Sequence, residues 1–243
     1  MVVADPLGRR NKVLRVIVDT YVDTALPVGS ECVCQNCGLA LSPATIRNIM
    51  SDLEELGYLR HPHTSAGRVP TDKGYRFYVD NLMDAEELTR EEQASVDAIL
   101  AEMARSYKYF AEPLSKTLSN LTRQLSLVLE ESKLHFVGIP NILDQPEFRN
   151  SDYSRAMLQA LEEGDEFVEI LKRDIQKEGV QVYIGSENRY HELECCSIVV
   201  SSYKVRGKVA GAVGVVGPTR IAYGKLVKRV GYLAGLASRF REA

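Results

Sequence analysis

Between Arg9 and Tyr21 the chain places Leu14, Ile17, Val18 and Tyr21 at i, i+3, i+4 and i+7, one face of an amphipathic helix. The segment "ALPVGS" breaks that pattern, and Ser30 can cap a short second helix ending at Gly38. Ser42 followed by Pro43 is a strong start signal, an acceptor at the N-cap and a proline at the first helical position. The helix from Pro43 should bury Ile46, Ile49, Met50 and Leu53 and stop at Gly57. "YLR" and "RVP" flank "HPHTSAG", which reads as two short strands around a loop, and Thr71 can cap a further helix. Three helices followed by a two-stranded flap predict a winged helix-turn-helix over residues 1–83.

From Asp84 the pattern is helical and acidic, and Glu86, Glu87, Glu91, Glu92 and Glu102 read as a solvated surface. Leu114, Leu118, Leu121, Leu125 and Val128 then alternate spacings of four and three, as in a heptad seam. Residues 84–132 are therefore expected to form a helical linker and dimerisation segment, with an ordinary core-facing helix as the alternative. Ser151 to Lys177 reads as helices interrupted near Gly164. "VQVYIG", "CSIVVSSYKV" and "KVAGAVGVVG" read as strands, the last two joined tightly at Arg206-Gly207, and Ile221 to Phe240 as a closing amphipathic helix. Grouped strands with helices around them predict an α+β domain at 133–243.

Composition narrows the class without deciding it. The chain has 243 residues, 26% of them charged, and a net charge of −3 that says nothing about local patches. The N-terminus lacks the apolar core of a signal peptide, and no apolar run is long enough to span a bilayer. Five cysteines, an odd number without an export signal, point to a reducing, cytoplasmic setting.

If Ile46, Ile49, Met50 and Leu53 face the core, the opposite face of that helix carries Ala44, Arg47, Asn48 and Ser51, with Thr45 on the flank. Arg pairs bidentately with guanine, Asn with adenine, and Ala or a Thr methyl meets the thymine methyl. Ser42 marks a helix N-terminus whose N–H groups suit a phosphate. On the flap, His61, His63, Thr64, Ser65 and Arg68 bring phosphate-contacting chemistry, and Arg9, Arg10, Lys12 and Arg15 could add backbone contacts. Double-stranded DNA is the expected partner.

At these residues the chain resembles a known family. "LSPATIRNIMSDLEELGYLRHPHTSAGRVPTDKGYRFYVD" and the upstream "VIVDTYVDTALPVGS" are similar to the DNA-binding signature of the HrcA family, bacterial repressors of heat-shock chaperone operons. "FVGIPNILDQPEF" and "GVVGPTR" resemble that family's C-terminal GAF-like region. The resemblance implies a homodimer on an inverted-repeat operator, a GroEL-type chaperonin that helps keep the repressor active, and relief of repression by heat. It places Ser42, Thr45, Arg47 and Asn48 on the recognition helix, and His63, Thr64, Ser65 and Arg68 on the wing.

Two departures stand out. Family members carry a further segment between "LSLVLEE" and "LHFVGIPN", with sheet strands and a dimerising module, whereas here Glu131 runs almost directly into Leu134. An incomplete GAF-like domain is expected, with a dimer interface moved to the Leu114–Val128 seam. The second departure is Cys32, Cys34 and Cys37. On a helix Cys34 and Cys37 share a side while Cys32 points away, so small buried side chains fit better than a metal site. Cys195-Cys196 sits at a strand start. Gly207, Gly211, Gly214 and Gly217 do not match a dinucleotide loop and suit close strand packing instead. No catalytic constellation and no cofactor site emerge. The leading expectation is a transcriptional repressor. A regulator sensing a small molecule through the C-terminal domain, or redox state through Cys32, Cys34 and Cys37, is the first alternative, and an enzyme with a regulatory DNA-binding head the second.

Overall fold

The computed structural model describes residues 6–62, 67–105, 110–173 and 177–242. The chain divides into two compact units, Met1–Asp84 and Ala85–Ala243.

In the first unit, α1 (Pro6–Thr24), α2 (Ser30–Asn36) and α3 (Pro43–Glu55) pack through Val13, Leu14, Ile17, Val18, Val33, Ile46, Met50 and Leu53, all buried. Ser30 is the first residue of α2 rather than its cap, a place taken by Gly29. The end of α3 follows from its backbone bonds. Tyr58 N–H donates to Leu53 O and Gly57 N–H to Glu54 O, a Schellman closure that needs Gly57 at positive φ, here 76°. Strands β1 (Leu59–Arg60) and β2 (Val69–Pro70) pair antiparallel, and Arg68 exchanges backbone bonds with Val28 at 2.9 Å each way. A side chain at Gly67 would meet the Val28 carbonyl oxygen at 2.3 Å, so that approach requires glycine. Helix α4 (Asp72–Asn81) starts at Thr71, whose hydroxyl accepts from Gly74 N–H and donates to Gly57 O, tying the new helix to the end of α3.

The second unit is α+β. Helices α5 (Arg90–Arg105) and α6 (Ala111–Thr122) lead into β3 (Leu125–Glu130) and β4 (Lys133–Val137). Helices α7 (Ile139–Leu143), α8 (Ser151–Glu163) and α9 (Asp165–Arg173) follow, then β5 (Val180–Ile184), β6 (Cys196–Val205), β7 (Lys208–Pro218) and α10 (Tyr223–Glu242). The strands form one antiparallel sheet in the order β4-β3-β7-β6-β5. Alternation sorts its side chains. Leu125, Leu127, Leu129, Cys196, Ile198 and Val200 join Ile142, Phe148, Met157, Leu161, Phe167 and Ile170 in one core. Helices α6 and α10 cover the opposite face. There the Tyr223 hydroxyl donates to Thr219 O and meets Ser197 Oγ at 2.7 Å.

The heptad reading of residues 114–128 is corrected. Arg123 adopts a left-handed conformation (φ 54°) that ends α6, and Leu125 and Val128 belong to β3, between β4 and β7. Leu114 and Leu118 are fully buried within this unit. The linker expected at 84–132 therefore already contains the first strand of the sheet, and the boundary at 133 falls inside the β3–β4 hairpin. That hairpin is closed by Glu131 and Ser132, both at positive φ (48° and 72°), the geometry of a two-residue turn.

In the acidic stretch Glu86, Glu87 and Glu91 are exposed as expected, Glu92 differs, and the side chain of Glu102 lies outside what is described. Thr89 and Glu92 form a reciprocal cap for α5, Thr89 N–H donating to Glu92 Oε2 at 2.8 Å and Glu92 N–H to Thr89 Oγ1 at 3.2 Å. The Glu92 carboxylate also holds the Arg229 guanidinium, which is 7% exposed. Glu86 and Glu87 pair with Lys225 and Lys228. These acids strap the start of the unit onto α10. Burial raises the Glu92 pKa, but the Thr89 N–H and Arg229 outweigh it and leave the carboxyl below its ordinary value.

Candidate nucleic-acid interface

Helix α3 is fixed at its start, its buried face and its flank. The Ser42 hydroxyl accepts from Thr45 N–H at 3.2 Å and lies 3.0 Å from Thr45 Oγ1, so both side chains serve the cap. Thr45 is half-buried. Arg10 on α1 reaches Asp52 on α3 at 2.8 Å. What remains outward is a stripe of Ala44, Arg47, Asn48 and Ser51, all exposed, at i, i+3, i+4 and i+7. That stripe offers a methyl group, a guanidinium fork, an amide and a hydroxyl on one face.

Two of the acids near this stripe pair internally, whereas Glu55, one turn beyond Ser51, is exposed. Asp52 is held by Arg10, and Glu54 lies 2.8 Å from the Arg68 guanidinium. Arg68 also meets His61 Nδ1 at 2.7 Å, and its side chain is 16% exposed. The sequence expectation gave Arg68 to a phosphate. The structure turns it inward, where it locks β2 to the C-terminal end of α3. Among the expected α1 contacts, Arg10 is committed to Asp52, and Arg15 pairs with Asp84 and Asp19. The Asp84 carboxylate raises the Arg15 pKa further. Burial raises the Asp19 pKa, against a hydrogen bond from the Tyr78 hydroxyl at 2.6 Å. Lys12 is exposed and Arg9 half-buried. His63, Thr64 and Ser65 lie outside the described residues.

The three cysteines of the first unit do not converge. Cys34 Sγ donates to Leu41 O at 3.0 Å, Cys37 is buried, and Cys32 Sγ faces Asn36 Nδ2 at 3.6 Å. Among the described residues no group of three or more His, Cys, Asp or Glu could hold a metal ion. In the second unit, a cavity of about 300 Å³ is lined by Glu169, Ile170, Lys172, Arg189 and Tyr190, and Tyr190 donates to Glu169 at its mouth. The two C-terminal motifs meet. Arg220 of "GPTR" donates to Glu147 at 2.5 Å and to Gln145 at 2.9 Å, both from "DQPEF". The sequence did not show the Arg68–Glu54 pair or the strap on α10. Both join residues from different elements, and no local pattern announces either.

Among the described residues no helix is long and apolar enough to cross a membrane. The family model for the HrcA protein C-terminal domain matches residues 81–227. The chain is 31% identical to the heat-inducible transcription repressor HrcA of Geobacter sulfurreducens, over 97% of this chain and 98% of that protein. It is 33% identical to the repressor of the same name from Symbiobacterium thermophilum, over 93% and 96%. The Geobacter alignment has 337 positions against 243 residues here, so 94 or more positions have no residue of this chain. A crystal structure titled as a hypothetical protein shares the fold, with a TM-score of 0.75 at 20% identity over 96% of this chain and 98% of that one. The match spans both units, and the chain belongs to the HrcA family of heat-inducible transcription repressors, which are not enzymes.

Proposed function

We propose that the first unit is a winged helix-turn-helix that reads an operator with α3. The observation that carries this is the outward stripe of Ala44, Arg47, Asn48 and Ser51 on a helix capped by Ser42, with Asp52 and Glu54 held in internal pairs and the exposed Glu55 at the far end, so that the N-terminal half faces the DNA. Arg47 and Asn48 are the base-reading residues, Ala44 and Ser51 complete the apposed face, and Ser42 and Thr45 present the helix start to a phosphate. His63, Thr64 and Ser65, which lie outside the described residues, belong to the same proposal as DNA contacts. Arg68 acts by positioning the wing. The second unit is a GAF-like domain whose sheet supports the assembly.

An inverted-repeat operator calls for a protein two-fold axis, so the reading includes a homodimer. Its interface lies outside the Leu114–Val128 run, since Leu114, Leu118, Leu125 and Val128 build the unit's own core and, of the seam, only Leu121 is half-buried. Heat inducibility, named in the relatives, and assistance by a GroEL-type chaperonin belong to the same proposal, as does a cytoplasmic location.

The test is discrimination. Duplexes enriched from a random library by the wild-type protein are compared with scrambled duplexes for Arg47→Ala and Asn48→Ala. Each should lose about 1–3 kcal/mol of preference for its base, with a much smaller loss on scrambled DNA. Equal losses on both would reduce these residues to phosphate contacts.

A further inference from the structure

Separate from the residues of the proposed DNA-reading face, a cysteine pair lies where the chain enters β6. Cys195 is half-buried, Cys196 is fully buried in the sheet core, and their sulfurs lie 3.6 Å apart. Both are thiols. The contrast with the first unit is chemical. Cys34 and Cys37 direct their S–H groups to backbone carbonyls. At Cys195 the neighbour is a second sulfur. A hydrogen bond from the Cys196 thiol holds the Cys195 pKa below the usual thiol range, while burial pushes Cys196 well up. The Glu147 carboxylate works against the Cys195 thiolate, and it is itself neutralised by Arg220. One cysteine is thus the less buried of the pair and the other is a buried thiol 3.6 Å away.

We propose that Cys195 and Cys196 form a peroxide-reactive dithiol, with Cys195 attacking and Cys196 resolving to a vicinal disulfide. In the first step the Cys195 thiolate forms an S–O bond as the O–O bond of a hydroperoxide breaks. A hydroxide or alkoxide leaves and takes up a proton. In the second, Cys196 sulfur attacks the Cys195 sulfenic acid, the S–O bond breaks, and water leaves with the proton from the Cys196 thiol. Two electrons pass from the sulfurs to the peroxide, and two thiols become one disulfide.

The step has a structural consequence in the second unit. A disulfide sets its sulfurs about 2.05 Å apart, so the two must close from 3.6 Å, and any share of that movement taken by Cys196 disturbs the core and its backbone. The backbone it would move is knotted by one side chain. Asn188 Nδ2 donates to the carbonyls of Gly185, Leu193 and Cys196 at 2.9, 3.0 and 2.9 Å. Cys196 is also the first residue of β6 in register with β7, opposite Pro218. Oxidation therefore bears on residues 185–196 and the start of β6.

The experiment uses the full chain, hydrogen peroxide, alkylation of remaining thiols and tryptic mass spectrometry. Both cysteines lie on the peptide Tyr190–Lys204. After peroxide that peptide should be lighter by two hydrogens and carry no alkyl group, while Cys32, Cys34 and Cys37 are alkylated, and dithiothreitol should restore both thiols. Cys196→Ser should stop the reaction at a sulfenic acid on Cys195 that dimedone traps. Cys195→Ser, which touches the less buried position, should leave Cys196 unreacted in the folded protein. Alkylation of both cysteines after peroxide would overturn the proposal. So would oxidation no faster in the folded chain than in urea, or a Cys195 that goes to sulfinic acid with Cys196 intact.

Discussion

Arg68→Ala separates a wing that touches DNA through this arginine from one that is held in place by it. The substitution removes an ion pair with Glu54 at 2.8 Å and a hydrogen bond with His61 at 2.7 Å, and leaves the backbone bonds to Val28 intact. A hydrogen bond to a charged group contributes roughly 1.5–3 kcal/mol, whereas a fully exposed ion pair contributes about 0–1. The Arg68 side chain is 16% exposed and that of Glu54 33%, which places the pair between those cases. The Arg68 Nε is buried without a partner among the described residues, a cost that the substitution relieves. About 1.5 kcal/mol is then the reasoned loss. For a unit of this size, at roughly 4–8 °C per kcal/mol, the first unit should melt about 6–12 °C lower. The assay pairs thermal unfolding with DNA affinity measured across a salt series. If Arg68 is a strut, the slope of log affinity against log salt stays at the wild-type value and the affinity loss follows the fraction unfolded. A slope reduced by about 1 with unchanged melting would show a direct phosphate contact and refute this argument.

Other outcomes follow from the second unit. Leu118→Glu should unfold it rather than release a folded monomer, because Leu118 is fully buried beside β3, and a folded monomer by sedimentation would restore the seam as an interface. Glu92→Gln should cost about 3 kcal/mol by stranding the buried Arg229, while Glu87→Gln, at an exposed pair, should stay within about 0.5. Urea titration of both variants checks this, and equal small losses would remove the strap. Because the folded Glu92 pKa is depressed, its contribution is present above the ordinary carboxyl range of about 4.3 and lost as pH falls through the folded value. Wild-type protein should therefore lose stability more steeply than Glu92→Gln as the pH is lowered below about 5.

Much of the fold was legible because local signals agreed. Ser42-Pro43, Gly57, Thr71 and Gly164 punctuate the helices as sequence rules require, and β6 spans Cys196–Val205 as the run "CSIVVSSYKV" suggested. The failure at 114–128 has a physical cause. Leu118, Leu121 and Leu125 keep heptad spacing, but "LSLVLE" also alternates with period two, and Arg123 ends the helix in a left-handed conformation without a glycine to announce it. For the candidate interface, periodicity was enough to set Ala44, Arg47, Asn48 and Ser51 on one exposed face. It could not show that Arg10 and Arg68 were already engaged, since their partners Asp52 and Glu54 lie on other elements, whereas the Arg15–Asp19 pair is local, at i and i+4. Charge alone does not reveal its counterion.

The turn at Glu131 and Ser132 bears on how such a protein changes over evolutionary time. Glu130 and Lys133 face each other across the ladder, so the chain leaves the sheet and re-enters it at a single point. A module whose own ends lie side by side can be grafted there, or excised, without shifting the register of β3 or β4. The resemblance puts the longer relatives' extra segment at this point, and here a Glu-Ser pair closes it in a conformation that asparagine and glycine adopt more easily. The sheet therefore behaves as a chassis with one socket, where a segment can be added or removed while the five-stranded frame keeps its pairing.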